Sequence, residues 1–100
     1  MTKASRGELW LADLGFVAKV RPVLILSVAY QDEERYVLRT TSVRGTQYEV
    51  PHSSRGMSEG AFDAQGIASI PDVKLERRLG VVDAATLANV EDAVRSWLAL

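Results

Sequence analysis

The chain has 100 residues, no cysteine and one histidine, and its formal net charge is −1. This length fits one domain with one core, and the hydrophobic fraction of 47% and charged fraction of 25% are typical of a soluble globular protein. Without cysteine there are no disulfides or thiolate metal sites, and one histidine leaves few ligands for zinc. No apolar run approaches the ~20 residues that span a bilayer, and the polar first seven residues do not resemble a signal peptide. We therefore expect one domain over residues 1–100, located in the cytoplasm, with no metal, cofactor or membrane contact.

The charges are unevenly distributed along the chain. Residues 1–57 carry eight Lys and Arg against six Asp and Glu, whereas residues 58–100 carry four against seven. A protein that binds nucleic acid mainly through charge is usually basic, so the overall balance argues against that class. The amino-terminal half can nevertheless form a local cationic site, and an enzyme that holds a few phosphates needs no more.

Runs of β-branched and aliphatic residues between turn residues predict the first four strands. The first covers residues 8–14, and the second covers 22–28, where an unbroken apolar run indicates burial on both faces. Pro22 lacks an amide hydrogen and is expected at the first position of that strand. A charged turn at 31–34 precedes a third strand at 35–41, and a turn at Gly45 precedes a fourth at 47–51.

The second half of the chain ends in an amphipathic helix. After a loop at 53–60, a fifth strand is predicted around 67–70 and is ended by Pro71, and a short helical turn is predicted at 75–79. The helix covers 84–99 with Asp83 as its cap. Its apolar stripe consists of Leu87, Val90, Val94, Trp97 and Leu98. These elements predict a mainly β protein with a C-terminal helix (β+α), in which a small antiparallel barrel packs against that helix.

Lys19 and Arg21 place two cations where a loop leads into the buried second strand. A strand is a rigid base, and the planar guanidinium of Arg21 matches a phosphate bidentately and stays charged at any physiological pH. Taken alone, the segment also fits an ordinary surface arginine at a strand edge. The interpretation therefore depends on which residues lie beside it.

The end of the third strand carries consecutive hydroxyl groups. Thr40, Thr41 and Ser42 can donate to phosphate oxygens and orient a ribose, while Arg39 and Arg44 can hold neighbouring phosphates. Threonine in strands and serine in turns are also common for structural reasons. If the second and third strands pair through the turn at 31–34, Arg21 and Thr40 become neighbours. A cation beside hydroxyls favours phosphate-ester chemistry over acyl transfer or metal-dependent hydrolysis.

Four further residues have simpler interpretations. Phe16 is a candidate platform for stacking a base of single-stranded RNA. His52 is the only side chain that titrates near neutrality, and we expect it to lie in solvent after the fourth strand. Glu49 is expected to face solvent from that strand, and Trp97 is expected in the core.

Five segments carry a pattern that extends over nearly the whole chain. They are residues 7–14 (GELWLADL), 21–27 (RPVLILS), 40–50 (TTSVRGTQYEV), Gln65, and 77–80 (RRLG) with the last helix. In this order they resemble the MazF/PemK family of type II toxins. The resemblance implies an SH3-like barrel, a homodimer and metal-independent endoribonuclease (mRNA interferase) activity on single-stranded RNA. It also implies a MazE-like cognate antitoxin whose flexible tail covers the active site.

The resemblance also implies roles for individual residues. Arg21 and Thr40 take the catalytic positions, with Thr41 as the alternative if the strand register is shifted by one. The expected substrate-binding residues are Lys19, Phe16, Arg39, Thr41, Ser42, Arg44 and Gln65. Two features depart from the family. The loop at 15–20 is short, so RNA specificity does not carry over, and Ala64 replaces an aspartate of some members, while Asp63 is expected on the opposite face of the strand.

The implied reaction is attack of a ribose 2′-OH on the adjacent phosphate, which gives a 2′,3′-cyclic phosphate and a 5′-OH end. Because the pKa of arginine lies above ~12, we expect Arg21 to stabilise charge on the phosphoryl oxygens rather than act as the base. Thr40 is expected to donate a hydrogen bond, and the sequence identifies no proton acceptor. Two other functions stay open: a CcdB-like toxin that binds gyrase, and a non-catalytic SH3-like interaction module.

Overall fold

The computed structural model describes residues 4–15, 19–28, 34–52 and 60–100. The elements in these ranges are the strands β1 (Glu8–Asp13), β2 (Val20–Ile25), β3 (Glu34–Thr41), β4 (Glu49–His52), β5 (Gly60–Pro71) and β6 (Leu75–Val81), a 3₁₀ turn (Asp72–Lys74), and the helix α1 (Ala84–Leu98). The strands form one antiparallel sheet in the order β4-β5-β3-β2-β1-β6. The predicted class, mainly β with a C-terminal helix, is confirmed. No helix in the described ranges has the length and apolar character needed to cross a membrane.

The sheet does not close into the predicted barrel. Within the described residues, the edge strands β4 and β6 do not pair with each other. One apolar cluster nevertheless joins side chains from β5 and β6, which are not neighbours in the sheet. Its members are Ala4, Ala12, Val23, Ile25, Val37 and Ile70, with Trp10, Leu14, Ala68 and Leu75 packed against them. Side chains from five of the six strands therefore share one apolar face of the sheet.

The opposite face of the sheet is covered by α1. A second cluster there consists of Leu9, Leu24, Leu38, Phe62 and Val90. Val23 and Ile25 face the first cluster and Leu24 faces the second, and all three are fully buried. Burial of each such side chain contributes about 1.5–3 kcal/mol. The prediction that the second strand is buried on both faces is confirmed.

Pro22 is not the first residue of its strand, as predicted, but the third. The strand β2 begins at Val20, and Pro22 pairs with Leu11 of β1. On the other side, the pairing with β3 ends at Val23 opposite Arg39. The missing amide hydrogen is tolerated because this part of β2 has lost one of its two neighbouring strands.

The predicted helical turn at 75–79 is wrong, because this segment forms β6. The spacing of Leu75 and Leu79 fits one helical turn, but β1 offers a free edge and pairs with the segment along its whole length. Both leucines are half-buried and pack against the two clusters. The segment 75–79 is thus a strand because it pairs with β1, which is distant in sequence.

The strand β5 starts earlier than the predicted segment at 67–70. It begins at Gly60, where a Cβ atom would come within 2.7 Å of the Thr41 carbonyl oxygen. Only glycine permits this approach of the two strands. The other residues of the predicted loop, 53–59, and most of the predicted turn, 31–33, lie outside the described residues.

The helix α1 confirms its predicted start and the part of its predicted apolar face at Val90 and Val94, but not the end of that face at Trp97 and Leu98. The Asp83 carboxylate accepts a hydrogen bond from the Thr86 amide at 2.7 Å. Val90 is fully buried, whereas Trp97 is 42% exposed and stacks edge-on against Tyr48 with 5.1 Å between ring centroids. The predicted core position of Trp97 is wrong, because the last turn of the helix contacts the region before edge strand β4 rather than the middle of the sheet.

We predict that Asp83→Ala lowers the free energy of unfolding by about 0.5–2 kcal/mol, because the Thr86 amide loses its acceptor. Urea denaturation followed by circular dichroism measures the change. Asp83→Ser is the matched control, since serine is also an effective cap, and it should retain most of the stability. Equal stability of the alanine variant and the unmodified protein would contradict the prediction.

Candidate active site

Arg21 projects from a well-anchored part of β2. It lies opposite Ala12 of β1, which is fully buried, and two residues before the fully buried Val23. Arg21 itself is exposed. The structure thus places a cation at the surface on a backbone fixed by the core, as the sequence predicted.

The loop before β2 is short and closed by its own backbone. The Leu14 amide donates to the Lys19 carbonyl at 2.8 Å, and the Lys19 amide donates to the Gly15 carbonyl at 2.7 Å. Lys19 is exposed and has a left-handed backbone conformation with φ of 54°. This places the second predicted cation next to the start of β2. Phe16, the predicted base platform, lies outside the described residues.

The pairing of β2 with β3 brings Arg21 to the two threonines. The pairing ends at Val23 opposite Arg39, and the same register continued beyond it would set Pro22 opposite Thr40 and Arg21 opposite Thr41. The Thr40 hydroxyl donates to the Pro22 carbonyl at 3.3 Å. The predicted juxtaposition of these segments is confirmed. Strand alternation puts Thr41 on the side of Arg21, while Thr40 pairs with Phe62 of β5.

Arg39 lies on the same face as Arg21 and faces an irregular part of β5. Leu38 pairs with Ile67 but Thr40 pairs with Phe62, so residues 63–66 of β5 lie opposite Arg39 alone. The exposed Arg39 donates from Nε to the Gly66 carbonyl at 3.4 Å. Such a bulge redirects side chains at a sheet surface. The sequence did not predict it, because only the pairing of strands reveals unmatched residues.

Glu49 does not face solvent, as predicted, and its side chain is only 3% exposed. Its carboxylate accepts the backbone amides of Arg44 at 2.8 Å, Gly45 at 3.2 Å and Thr46 at 3.4 Å. The Arg44 amide makes the largest contribution to a pKa of Glu49 below its ordinary value, and it outweighs the opposing effect of burial. The prediction was wrong because strand alternation does not account for the loop amides, which need an acceptor.

The Arg44 guanidinium bridges two acidic side chains. Its Nη2 lies 3.0 Å from Asp63 Oδ2, and its Nε lies 3.4 Å from Glu49 Oε2. Asp63 also accepts the Gln65 amide at 3.0 Å. The neighbouring Ala64 is buried, in agreement with opposite faces for residues 63 and 64. The structure therefore links two of the predicted substrate-binding residues, Arg44 and Gln65, through the Asp63 carboxylate. Another of them, Ser42, is exposed in the loop between β3 and β4.

Glu8, the first residue of β1, has a structural role. It accepts hydrogen bonds from the Ser5 amide, the Trp10 indole and Arg78, and the bond from Arg78 joins β1 to β6. Burial raises the pKa of Glu8, but the three hydrogen bonds together lower it below its ordinary value. Across the described ranges, no three His, Cys, Asp or Glu side chains are grouped so that they could hold a metal ion.

His52 does not lie in a solvated loop, as predicted, but is the last residue of β4. Its ring centroid is 4.6 Å from that of Phe62, which pairs with Thr40. Both ring nitrogens are buried and neither has a hydrogen-bond partner among the described residues. Burial lowers the pKa of His52. Across the strands His52 lies opposite Gly60 of β5.

Comparison with known proteins gives one family and a consistent fold. The model of a family described as PemK-like, MazF-like toxin of type II toxin–antitoxin system matches residues 5–98. Among curated proteins, none matches the sequence of the chain. The findings give no support to a gyrase-binding toxin or a non-catalytic module.

Several solved structures are similar over nearly their full length. An endoribonuclease in complex with its cognate antitoxin, from a mycobacterial species, has a TM-score of 0.84 and 26% identity, covering 97% of this chain and 96% of that one. The Mycobacterium tuberculosis toxin MazF-mt6 has a TM-score of 0.83 and 26% identity, covering 93% and 97%. A MazE–MazF structure from Deinococcus radiodurans, at 24% identity and a TM-score of 0.82, covers 97% and 96% and shares the fold.

We predict that stability falls as the pH is lowered from about 7.5 to about 5.5, because the folded state favours neutral His52 and the unfolded state, with a pKa near 6.5, binds the proton more tightly. Stability is thus highest at pH values above the pKa of His52 in the unfolded state. It declines as the pH falls towards the pKa of His52 in the folded state, by at most about 1.4 kcal/mol per pH unit. Chemical denaturation at several pH values measures this slope. His52→Phe, which keeps an aromatic ring, should remove it, and an unchanged slope in that variant would contradict the assignment.

Proposed function

The chain belongs to the PemK-like, MazF-like toxins of type II toxin–antitoxin systems, and we propose that it is an endoribonuclease that cuts single-stranded RNA without a metal ion. The family match covers residues 5–98, which include every strand and the helix. Two similar structures at 26% identity are an endoribonuclease and a MazF toxin. Messenger RNA in the cytoplasm is the proposed substrate and location.

One observation supports the catalytic site most directly. The antiparallel register of β2 and β3, continued beyond Val23 opposite Arg39, sets the exposed Arg21 opposite Thr41, and the Thr40 hydroxyl donates at 3.3 Å to the carbonyl of Pro22, the residue that follows Arg21. A guanidinium beside a hydroxyl supplies positive charge and a neutral hydrogen-bond donor to one phosphate. Both groups are carried by strands, so they keep their positions without substrate.

The proposed reaction is a transesterification within RNA. The ribose 2′-oxygen forms a bond to the adjacent phosphorus, the bond from phosphorus to the 5′-oxygen breaks, and the products are a 2′,3′-cyclic phosphate and a 5′-OH end. A base, which we do not assign, removes the proton from the 2′-OH, and the leaving 5′-oxygen gains one. Arg21 neutralises charge on the phosphoryl oxygens, and Thr40 donates a hydrogen bond to them.

The residues around this pair are the proposed RNA contacts. Lys19 and Arg39 are exposed cations on either side of Arg21, and they are placed to bind neighbouring phosphates. Thr41, Ser42 and Gln65 offer polar groups at the same end of the sheet. Phe16, which lies outside the described residues, is proposed to stack on a base.

Two partners follow from the family. A cognate antitoxin of the MazE type is proposed to place a flexible segment over the active site, since similar structures are complexes with a cognate antitoxin. A second copy of the chain is proposed to complete a homodimer.

We predict that Arg21→Ala lowers the rate of RNA cleavage by about 10²–10³-fold or more and abolishes toxicity on expression in cells, because phosphoryl charge loses its main stabiliser. The Tm should change little, since Arg21 is exposed. Arg21→Lys keeps the positive charge but loses the planar guanidinium that binds phosphate bidentately, and it should recover only part of the rate. A collapsed fold in the alanine variant would show that Arg21 is a structural residue.

Thr40→Val and Thr41→Val form a matched pair for the hydroxyl donor. We predict the larger loss of cleavage rate, about 10²–10³-fold, for Thr40→Val, because Thr40 takes the catalytic position in the family pattern and its hydroxyl is held on the Pro22 carbonyl. Single-turnover cleavage of a synthetic RNA measures both rates. The larger loss in Thr41→Val would assign the donor to the residue opposite Arg21 instead.

The absence of a metal requirement and the role of the 2′-OH can be tested together. Cleavage should persist at an unchanged rate in EDTA, and it should stop when the ribose at the cut site is 2′-deoxy. Gel analysis of end-labelled RNA detects both effects. Inhibition by EDTA that is reversed by a divalent ion would contradict the proposed chemistry.

A further inference from the structure

Arg44, Glu49 and Asp63, which we call the Arg44 cluster, join three parts of the site. Glu49 and Asp63 lie directly opposite each other on β4 and β5. Their side chains are only 3% and 15% exposed, while that of Arg44 is 51% exposed. Two carboxylates on facing strand positions repel each other unless a cation lies between them. The Arg44 guanidinium contacts both.

The contacts of Arg44 differ from those expected of an arginine that binds phosphate. Its Nη2 donates a hydrogen bond to Asp63 at 3.0 Å, and its Nε lies 3.4 Å from a Glu49 carboxylate oxygen. The Nε and Nη2 edge of the guanidinium, which could bind a phosphate bidentately, already lies against two carboxylates, and their charges offset the charge that would attract a phosphate. The sequence predicted that Arg44 binds phosphate, because Arg44 is close to hydroxyl residues in the chain. The sequence did not show that the acidic side chains of Glu49 and Asp63 contact it in the fold.

The cluster holds the loop between β3 and β4 from one side. Glu49 accepts three consecutive backbone amides, those of residues 44–46, and thereby fixes the backbone that follows Thr41 and Ser42. Ionised carboxylates make strong hydrogen bonds to backbone amides. The position of Ser42 relative to the strand end therefore depends on a residue in the next strand.

The cluster holds the bulge of β5 from the other side. Asp63 accepts the Gln65 amide at 3.0 Å, and a Cβ atom on Gly66 would lie 3.3 Å from Asp63 Oδ2 and 3.4 Å from Arg39 Nε. The Gly66 carbonyl accepts the hydrogen bond of Arg39. Through the bulge, Asp63 thus affects the positions of Gln65 and Arg39, both proposed RNA contacts.

We propose that Arg44, Glu49 and Asp63 act as one positioning unit that sets Ser42, Gln65 and Arg39 for RNA, and that Arg44 does not contact a phosphate. This inference rests on the proposed endoribonuclease function. It assigns the unit to RNA binding rather than to the chemical step, because none of its members lies next to Arg21 in the pairing of β2 with β3.

A double-mutant cycle of Arg44→Ala and Glu49→Gln tests the proposal. The probe is a single-stranded RNA that wild type cleaves, with 2′-deoxyribose at the cut site so that it binds uncut, and its Kd is measured across a range of salt concentrations. Residues that act as a unit are non-additive. We expect each single variant to weaken binding about 10-fold and the double variant to weaken it by about the same factor rather than about 100-fold.

The salt dependence separates this role from a direct phosphate contact. Loss of one phosphate contact to a single strand reduces the slope of log Kd against log salt by about 0.7. We expect Arg44→Ala to leave the slope unchanged. A slope reduced by that amount, together with unchanged or tighter binding by Glu49→Gln, would overturn the proposal and make Arg44 a phosphate ligand.

Controls separate positioning from general effects. Arg77→Ala and Glu76→Gln remove the same charges from exposed positions on β6 and should leave binding unchanged. Hydrogen exchange at the amides of residues 44–46 should rise in Glu49→Gln, whereas a merely destabilised fold would exchange faster throughout. If that variant does not fold, Asp63→Asn replaces it in the cycle with the same expected outcome.

The outcomes also distinguish this inference from the proposed function. If the unmodified protein cleaves RNA but the two single effects add, the positioning unit is wrong and the endoribonuclease stands. If the unmodified protein neither binds nor cleaves RNA, both proposals fail.

Discussion

The pairing of β2 with β3 is the constraint on which the rest of the structure depends. β2 carries consecutive apolar residues that face both clusters, so a shift of the strand by one residue would exchange its two buried faces. The resulting register, with Val23 opposite Arg39, also brings Arg21 beside the threonines. The same packing that stabilises the core thus sets the geometry of the candidate active site.

The environment, rather than the residue type, decides what each arginine does. Arg35 and Arg39 lie on the same face of β3, four residues apart. Arg35 is fully buried and bonds to Asp72 and to the Ser27 carbonyl, so it joins β3 to the turn before β6. Arg39 is exposed beside a bulge. Arg44 lies between two acids, whereas Arg21 projects from the end of a buried strand.

Two side chains stabilise the residues next to the candidate active site. His52 packs against Phe62, whose strand partner is Thr40, and Glu49 holds the loop that follows Thr41. Neither residue was predicted to have a role, since each was expected in solvent. His52 packs against a residue of a neighbouring strand, which is distant in sequence. Glu49 binds loop amides, which the alternation of residues along a strand does not predict.

The sequence by itself determined the features that depend on nearby residues. The apolar run of β2, the Asp83 cap and the start of α1 were predicted because propensity, periodicity and capping act over a few positions. The approach of the Arg21 segment to the end of β3 was also predictable, since one antiparallel hairpin connects them, although Thr40 contacts Pro22 rather than Arg21. Only the tertiary structure decided that 75–79 pairs as β6, that β5 bulges opposite Arg39, and that Glu49 and Asp63 bind Arg44. These features depend on long-range strand pairing and on where buried charges find partners, and no local pattern encodes either.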